Sequence, residues 1–329
     1  MSSAERRAPP ATPESGGEDA FPPVGAPLHT ADAAPSGGPR RGGLTTTDAL
    51  LLLMSLIWGV NTVVAKAALT VFDPLEFNAF RFAIAGVLIT LIARRFGKGT
   101  PARADWPRLA LLGILGNAVY QVVYIEGLAH TRAGNAALIM GTGPIFTAAF
   151  SHLRGHDRLR PRDVAGILIS TTGLASIVLG SGKEVGLLGT IGGDVAILCA
   201  TICWSAYTVG NKPMVDRYGA ITATAWTMAI GAIVVVLVGA PGVVRHDLAT
   251  VPIGAWGAVV YSAVCALVIA FLIWYRGVER IGSMRTATYS NFQPVIVLLL
   301  AWPLLGEVPM LWQIVGAGGI FSGIYLVRT

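Results

Sequence analysis

Two apolar stretches, 146 positions apart, carry the same residues in the same order. The matched residues, first copy and then second, are Asp48, Trp58, Thr62, Val63, Lys66 and Asp194, Trp204, Thr208, Val209, Lys212. An offset of 150 relates a further set, namely Gly127, Pro144, Gly166, Gly173 and Gly277, Pro294, Gly316, Gly323. The chain therefore reads as a duplication, which restricts it to folds built from two related halves.

The composition places both halves in a membrane. The chain is 53% hydrophobic and only 13% charged, whereas an ordinary soluble domain is about a quarter charged. The net charge of +6 is spread over short loops instead of forming a basic patch, which argues against nucleic acid as a partner. All three cysteines lie inside apolar segments, so neither a disulfide framework nor a zinc site is expected.

Apolar runs of about 20 residues, the length that crosses the hydrocarbon core of a bilayer, occur ten times. The predicted spans are Asp48–Leu69, Pro74–Ala93, Leu109–Leu128, Gly134–Leu153, Val164–Gly180, Gly193–Asn211, Ile221–Gly239, Ala255–Tyr275, Thr286–Leu305 and Leu311–Val327. Residues 1–43 are rich in Pro, Gly, Ala and Ser and lack a signal-peptide core. We interpret them as a disordered cytoplasmic tail.

The distribution of Lys and Arg predicts the orientation. If the tail is inside, the inner segments hold seventeen basic residues and the outer loops hold only Arg132, Lys183 and Arg245. This bias places both termini in the cytoplasm. A duplicated unit of five helices must insert its second copy upside down. The predicted fold is thus an all-α polytopic membrane protein with ten transmembrane helices in two inverted five-helix repeats, residues 44–181 and 190–328.

Several short motifs resemble the EamA-type carriers of the drug/metabolite transporter superfamily. In the first half they are Trp58-Gly59-Val60-Asn61 leading to Lys66, Phe80-Arg81-Phe82, and Ala133-Gly134-Asn135-Ala136-Ala137 followed by Pro144. In the second half they are Trp274-Tyr275-Arg276-Gly277, Gln293-Pro294-Val295, Leu305-Gly306-Glu307 and Gly316.

This resemblance covers residues 44–328, and one departure is that the first half reads His156-Asp157 where the second reads Gly306-Glu307. The resemblance implies a ten-helix carrier with a central cavity that exports small metabolites or amino-acid-like compounds.

Polar residues within the spans are candidates for the substrate pathway, because exposing them to lipid is costly. Helical spacing puts Trp58, Asn61 and Lys66 on one face of the first span. The equivalent residues of the sixth span are Trp204, Tyr207 and Lys212. The alternative is that the tryptophans belong to an interfacial belt and that the lysines extend to headgroups.

Arg81 lies about two turns inside the second span and needs a partner, because a guanidinium cannot lose its proton. Glu126 lies at a similar depth, so we expect an Arg81–Glu126 ion pair. The alternative is that Arg81 recognises a carboxylate of the substrate.

Amide side chains next to prolines form a further group of candidates. Asn291 and Gln293 precede Pro294, which removes a backbone hydrogen bond. With Tyr120 on the third span, they are predicted either to line the pathway or to bond neighbouring helices. Asp48 and Asp194 are interpreted as helix N-caps. The glycines of the fifth and tenth spans are expected to pack helices within the monomer, with a homodimer as the alternative.

The sequence contains no enzyme or nucleotide-binding signature, and no cofactor is expected. We therefore predict a secondary transporter of the inner membrane that works by alternating access. A small-molecule substrate and the lipid bilayer are its predicted partners. The alternatives are an intramembrane enzyme and a non-transporting membrane adaptor.

Overall fold

The computed structural model describes residues 45–131, 133–179, 191–296 and 310–328, and within these ranges every regular element is helical. The predicted tail and the Leu305-Gly306-Glu307 motif lie outside the described residues. The α-helices are α1 (Thr46–Ala68), α2 (Pro74–Phe96), α3 (Trp106–Gly113), α4 (Tyr120–Ala129), α5 (Ala133–Met140), α6 (Gly143–Leu153), α7 (Pro161–Leu179), α8 (Ile191–Arg245), α9 (Ile253–Tyr261), α10 (Ala270–Ile281), α11 (Ser283–Tyr289) and α12 (Leu311–Arg328).

Seven helical stretches in the described part of the chain are long and apolar enough to cross a membrane. One of them is α8, whose 55 residues would extend roughly 80 Å at the rise of an α-helix. The helix is interrupted at Gly219, where φ is 76° and ψ is 160°. Glycine adopts this conformation without the steric cost that a Cβ brings. The sixth and seventh predicted spans are therefore the two halves of α8, while the full count of ten remains a prediction.

Two helices contain a π-helical segment at equivalent positions of the two halves. The first π segment is Ile114–Val119, between α3 and α4, and the second π segment is Ser262–Ile269, between α9 and α10. They correspond at the same offset of 150 that the glycines and prolines show. Such segments shift the helical register, leave backbone groups with altered partners, and occur frequently at functional sites.

Close glycine packing joins α7 to α12. A Cβ on Gly166 would lie 2.7 Å from the carbonyl oxygen of Gly323, and one on Gly173 would lie 2.6 Å from that of Gly316. The two backbones thus touch where no larger residue fits. This confirms packing within the monomer for Gly166, Gly173, Gly316 and Gly323, whereas Gly180 lies outside the described residues.

The first residues of α1 differ from their predicted role. Thr45 is the N-cap, and its hydroxyl accepts a hydrogen bond from the Asp48 backbone N–H. The Asp48 carboxylate accepts one from the Thr45 backbone N–H at 2.7 Å in return. This is a capping box, so the prediction that Asp48 itself is the N-cap was wrong, and its carboxylate has further partners.

Candidate functional site

Trp204 is the centre of a cluster of aromatic rings in the middle of the helix bundle. Its ring centroid lies 5.8 Å from that of Trp58 and 5.1 Å from that of Tyr120. Three more rings surround it within 5.2–5.7 Å, and the whole aromatic cluster comprises Trp58, Tyr120, Trp204, Tyr207, Phe271 and Trp274. Trp58 and Trp204 are equivalent residues of the two repeats, so the halves meet at this pair.

The first helix of the first repeat packs against the second π segment. The Trp58 Nε1–H donates a hydrogen bond to the carbonyl oxygen of Ala266 at 2.9 Å. One turn further along α1, Asn61 Oδ1 accepts a hydrogen bond from the Ser262 hydroxyl at 2.7 Å. Both predicted pathway residues of this face, Trp58 and Asn61, therefore contact the other repeat.

The reverse contact joins α8 to the first π segment. Tyr207 is fully buried, and its hydroxyl oxygen accepts from Asn117 Nδ2 at 3.1 Å and lies 2.8 Å from Thr227 Oγ1. Its ring occupies the space beside Gly116, where a Cβ would overlap it. Tyr207 is the repeat equivalent of Asn61. Each repeat thus places the first helix of its own half on the π segment of the other.

Two of the buried polar atoms close to these contacts are notable because they have no hydrogen-bond partner in the described part of the chain. They are the Nε1 of Trp274, in the aromatic cluster, and the Oδ1 of Asn117, in the first π segment. Among the residues that the structure describes, neither atom makes a hydrogen bond. A buried polar atom without a partner costs about 1–3 kcal/mol. A polar ligand or water at the centre of the bundle would remove this cost.

The Asp48 carboxylate connects three helices at one end of the bundle. It accepts a hydrogen bond from the Tyr289 hydroxyl at the end of α11. Its Oδ2 also lies 2.8 Å from Nη2 of Arg328 in α12. Asp48 is buried at 3% exposure, whereas the Arg328 side chain is 32% exposed.

Asp194, the repeat equivalent of Asp48, makes a corresponding contact at the opposite end. It accepts hydrogen bonds from the Thr131 hydroxyl and from Asn135 Nδ2, the latter at 2.9 and 3.1 Å. Lys66, near the end of α1, lies 3.4 Å from the Thr131 carbonyl oxygen. Asp194 is therefore near the end of α1, whereas Asp48 is near its start, roughly 27 Å away along the helix. Asp194 lies inside the first turn of α8, which begins at Ile191, so the prediction that it is the helix N-cap was wrong.

The two predicted lysines lie outside the aromatic cluster, Lys66 in the last turn of α1 and Lys212 about two turns before the interruption of α8 at Gly219. Lys66 contacts the Thr131 backbone, as described, and Lys212 forms an ion pair with Asp216 at 2.8 Å one turn further along α8. The alternative interpretation, in which the ammonium groups extend toward the membrane surface, stays a prediction, as does a role in the pathway.

A cavity of about 510 Å³ borders the loop between α6 and α7. It is lined by His156, Asp157, Arg158, Arg160, Asp163 and Arg285, among others. Burial and, to a smaller extent, the positive charge of Lys212 lower the pKa of His156. Both effects disfavour the protonated imidazole.

Arg81 is buried in the bundle, with only 2% of its surface exposed. It does not lie beside Glu126, its expected partner. Its Nε donates to Asn78 Oδ1 at 2.7 Å, and its Nη2 donates to Gln121 Oε1 at 2.6 Å. Glu126 instead lies partly exposed, 3.9 Å from His130. The predicted Arg81–Glu126 pair was wrong, because similar depth on two helices does not put the residues on facing sides.

The amide residues near Pro294 are separated from the aromatic cluster. Asn291 donates a hydrogen bond to the Ser170 hydroxyl of α7 at 2.9 Å. This agrees with the alternative of bonding between helices. Gln293 is half-buried, just after the short helical turn Ser290–Phe292. A role for either residue in the pathway remains a prediction.

The sequence did not single out several residues of the centre, of which Asn117, Phe271 and Trp274 are the clearest. Asn117 is a lone amide in an apolar span, which is a recognisable signal. Trp274 stood in a motif of the resemblance without being assigned a role. Asn78 and Gln121 also went unassigned as partners of Arg81.

The duplicated helices of membrane length, joined at a shared aromatic centre, define a multi-pass membrane protein with internal repeats. The EamA-like transporter family matches residues 45–179 and 191–329, and the chain belongs to this family. The resemblance and the two-repeat architecture are confirmed. The chain is a membrane transporter rather than an enzyme, and it acts on small molecules in a lipid environment.

Relatives of known sequence span nearly the whole transporter. The chain is 29% identical to the uncharacterized transporter YyaM of Bacillus subtilis, over 84% of this chain and 91% of that one. It is 26% identical to a "Probable terminal-alkyne amino-acid exporter" of Streptantibioticus cattleyicolor, over 84% and 92% of the two chains. A solved crystal structure matches with a TM-score of 0.73 at 21% identity, covering 87% of this chain and 99% of that one. This last match shows a shared fold.

Proposed function

We propose that this chain is a secondary transporter that exports small metabolites or amino-acid-like compounds across the inner membrane. In this proposal the substrate passes between the two repeats, both termini are cytoplasmic, and ten spans form the carrier. The single observation that carries it is the meeting of the repeats at the aromatic cluster, where the first helix of each half contacts the π segment of the other.

The aromatic cluster suits the binding of small organic molecules. Aromatic faces offer large apolar contact area, and the indole N–H groups add oriented donors. Trp58 and Trp204 are each half-buried, while the Trp274 Nε1 is buried without a partner. A substrate with an apolar body and a polar end would satisfy both features.

The two acid-centred contacts suit alternating access. Asp48 joins α1 to α11 and α12, and Asp194 joins α8 to Thr131 and α5. Separating one contact at a time would open one end of the pathway while the other stays closed. Hydrogen bonds to charged groups are worth about 1.5–3 kcal/mol each, which is within the range that substrate binding can offset.

The amino-acid-like substrate class is supported by the printed name of the Streptantibioticus relative. Export and the cytoplasmic termini rest on the resemblance and on the distribution of basic residues in the sequence. Because the sequence lacks a nucleotide-binding motif, we propose that the energy comes from a gradient of the substrate or of an exchanged compound.

An export experiment tests the proposal. Culture medium would be compared, by untargeted metabolite profiling, between a deletion strain and strains that overexpress the wild type, Trp204→Ala or Trp312→Ala. Trp312 is 64% exposed at the start of α12 and is the matched control for loss of an indole. We expect compounds that accumulate with the wild type and with Trp312→Ala but not with Trp204→Ala.

The strongest compound would then be followed with purified protein in liposomes by counterflow. Carrier-dependent flux that Trp204→Ala reduces at least tenfold would support the proposal. If all three proteins reach normal levels in the membrane and the media do not differ, the result would favour the alternative of a non-transporting membrane adaptor. Accumulation that does not depend on Trp204 would place the pathway elsewhere.

A further inference from the structure

Arg81 is a buried positive charge without a negative partner in the described part of the chain. Its two hydrogen-bond acceptors, Asn78 Oδ1 and Gln121 Oε1, are neutral amide oxygens. The rings of Phe77 and Phe82 lie 5.2 and 5.8 Å from the guanidinium carbon. They stabilise the cation without neutralising it. No carboxylate of the described residues forms an ion pair with it.

The guanidinium is held so that part of it remains available. A guanidinium has five N–H donors in a fixed planar fork. The structure uses Nε once and Nη2 once, and Nη1 donates to none of the described residues. Nη1 and the second hydrogen of Nη2 can therefore pair with the two oxygens of one carboxylate.

The surroundings of Arg81 connect it to the aromatic cluster. The backbone carbonyl of Gln121 also accepts a hydrogen bond from Asn78 Nδ2 at 2.9 Å, which fixes α2 against α4 around Arg81. Tyr120 precedes Gln121 in sequence, and its ring lies 5.1 Å from that of Trp204. The fixed cation and the aromatic faces thus border one region of the bundle.

We infer that Arg81 is the recognition residue for a carboxylate group of the transported compound, which binds with its apolar body on the aromatic cluster. The inference rests on the proposed transport function. The substrate class is small organic acids, including amino acids, with an apolar or aromatic side. Asn78 and Gln121 are positioning residues that orient the fork. Since Arg81 is sealed at 2% exposure, the acid reaches it when one end of the pathway opens.

Gln121→Glu is the most informative variant, because it adds a resident carboxylate at an existing contact with almost no change of shape. Gln313→Glu, at the exposed start of α12, is the control for the same chemical change. We expect Gln121→Glu to keep or raise the Tm and to reduce flux of the acid at least tenfold in the liposome assay. The control should leave both unchanged. A folded Gln121→Glu protein with wild-type acid flux would show that Arg81 is structural.

A second measurement needs only the wild-type protein. Counterflow and thermal shift would compare phenylacetate with phenylacetamide, and N-acetylphenylalanine and N-acetylleucine with their amides, so that only the carboxylate differs in charge within each pair. We expect at least one acid to exceed its amide tenfold, with the same preference from pH 6 to pH 9 because Arg81 stays charged. Equal handling of every pair would overturn the inference. Carrier-dependent flux of neutral compounds alone would also overturn the inference, but it would leave the proposed function intact. If no compound showed carrier-dependent flux, the proposed function itself would be contradicted.

Discussion

The two contacts between a first helix and a π segment are related by the duplication but differ in how tightly they are built. On one side the half-buried Trp58 donates a hydrogen bond to the carbonyl oxygen of Ala266, and Asn61 accepts one from the Ser262 hydroxyl. On the other, Tyr207 is fully buried between Asn117 and Thr227, with its ring against Gly116. The first contact is partly open, and the second is a closed part of the core.

This difference indicates that the duplicated halves have divided two tasks. The Tyr207 ring leaves no room for a Cβ on Gly116, so this contact suits a fixed support for α8. The Trp58 contact keeps an aromatic face accessible beside Trp204, so it suits the substrate. The comparison predicts that changes on the Tyr207 side act on stability, whereas changes on the Trp58 side act on transport.

The largest effect is expected for Gly116→Ala. The new Cβ would overlap the Tyr207 ring, and overpacking of this kind costs about 1–3 kcal/mol or more. A gain in helix propensity of up to about 1 kcal/mol would not offset it. Ala266→Gly, the reciprocal change at the equivalent position, should cost only about 1 kcal/mol. Thermal unfolding in detergent measures both, and equal Tm values for the two variants would refute the asymmetry.

Tyr207→Phe should produce the next largest effect. The change leaves the ring in place but removes the hydroxyl that contacts Asn117 and Thr227. A buried Asn117 Nδ2 would then lack its acceptor, which costs about 1–3 kcal/mol. We expect a clear fall in Tm with transport per folded molecule close to wild type, and a loss of transport at unchanged Tm would contradict the division of tasks.

Much of this architecture can be predicted from the sequence, because it depends on the regular spacing of residues along the chain and on the distribution of charge. The repeat of Trp58 and Trp204 and the glycines Gly166 and Gly316 indicate which helices correspond and where backbones approach. Helical spacing alone put Trp58 and Asn61 on one face, and both contact the second π segment. Such patterns are visible in the sequence because the thickness of the bilayer and the close packing of helices restrict which residues a span can contain.

What the sequence did not predict depends on how helices rotate against each other. Arg81 contacts Asn78 and Gln121 instead of Glu126, a choice that depth along the bilayer does not determine. Asp48 and Asp194 were interpreted as N-caps. Their contacts with Tyr289 and Thr131 could not be predicted, because these partners lie far away in the sequence. The π segments add one residue to a turn without a glycine or proline pattern that marks them.

Trp58→Phe should have a smaller effect on stability than Tyr207→Phe. It removes one hydrogen bond to a carbonyl in a half-buried position, worth about 0.5–1.5 kcal/mol. We expect flux in the liposome assay to fall at least tenfold, mainly through a higher KM, since the indole contributes to the substrate surface. Trp312→Phe is the matched control. A Trp58→Phe protein with wild-type KM would remove Trp58 from the pathway.

The smallest expected effect is on the pH dependence of stability, and it extends the comparison to the two equivalent lysines, Lys66 and Lys212. Lys66 lies beside the backbone carbonyl of Thr131, whereas Lys212 pairs with Asp216. The pKa of His156 is lowered by burial and, to a smaller extent, by the positive charge of Lys212. A histidine with a lowered pKa stays neutral in the folded protein while the unfolded chain takes up a proton. Its contribution to stability is therefore complete above pH 6.5 and is lost as the pH falls below that value.

We expect the wild-type Tm to fall between pH 7.5 and pH 5.5, and His156→Asn to reduce that fall by no more than about 2 °C. The group is only partly buried, and solvent therefore weakens the effect. His152→Asn, one residue before the end of α6 and exposed, is the control and should follow the wild type. If His152→Asn changes the pH dependence of Tm and His156→Asn does not, protonation of His156 near Lys212 does not contribute to that dependence. The two lysine positions would then be equivalent in this respect, and the asymmetry between the repeats would be confined to the centre of the bundle.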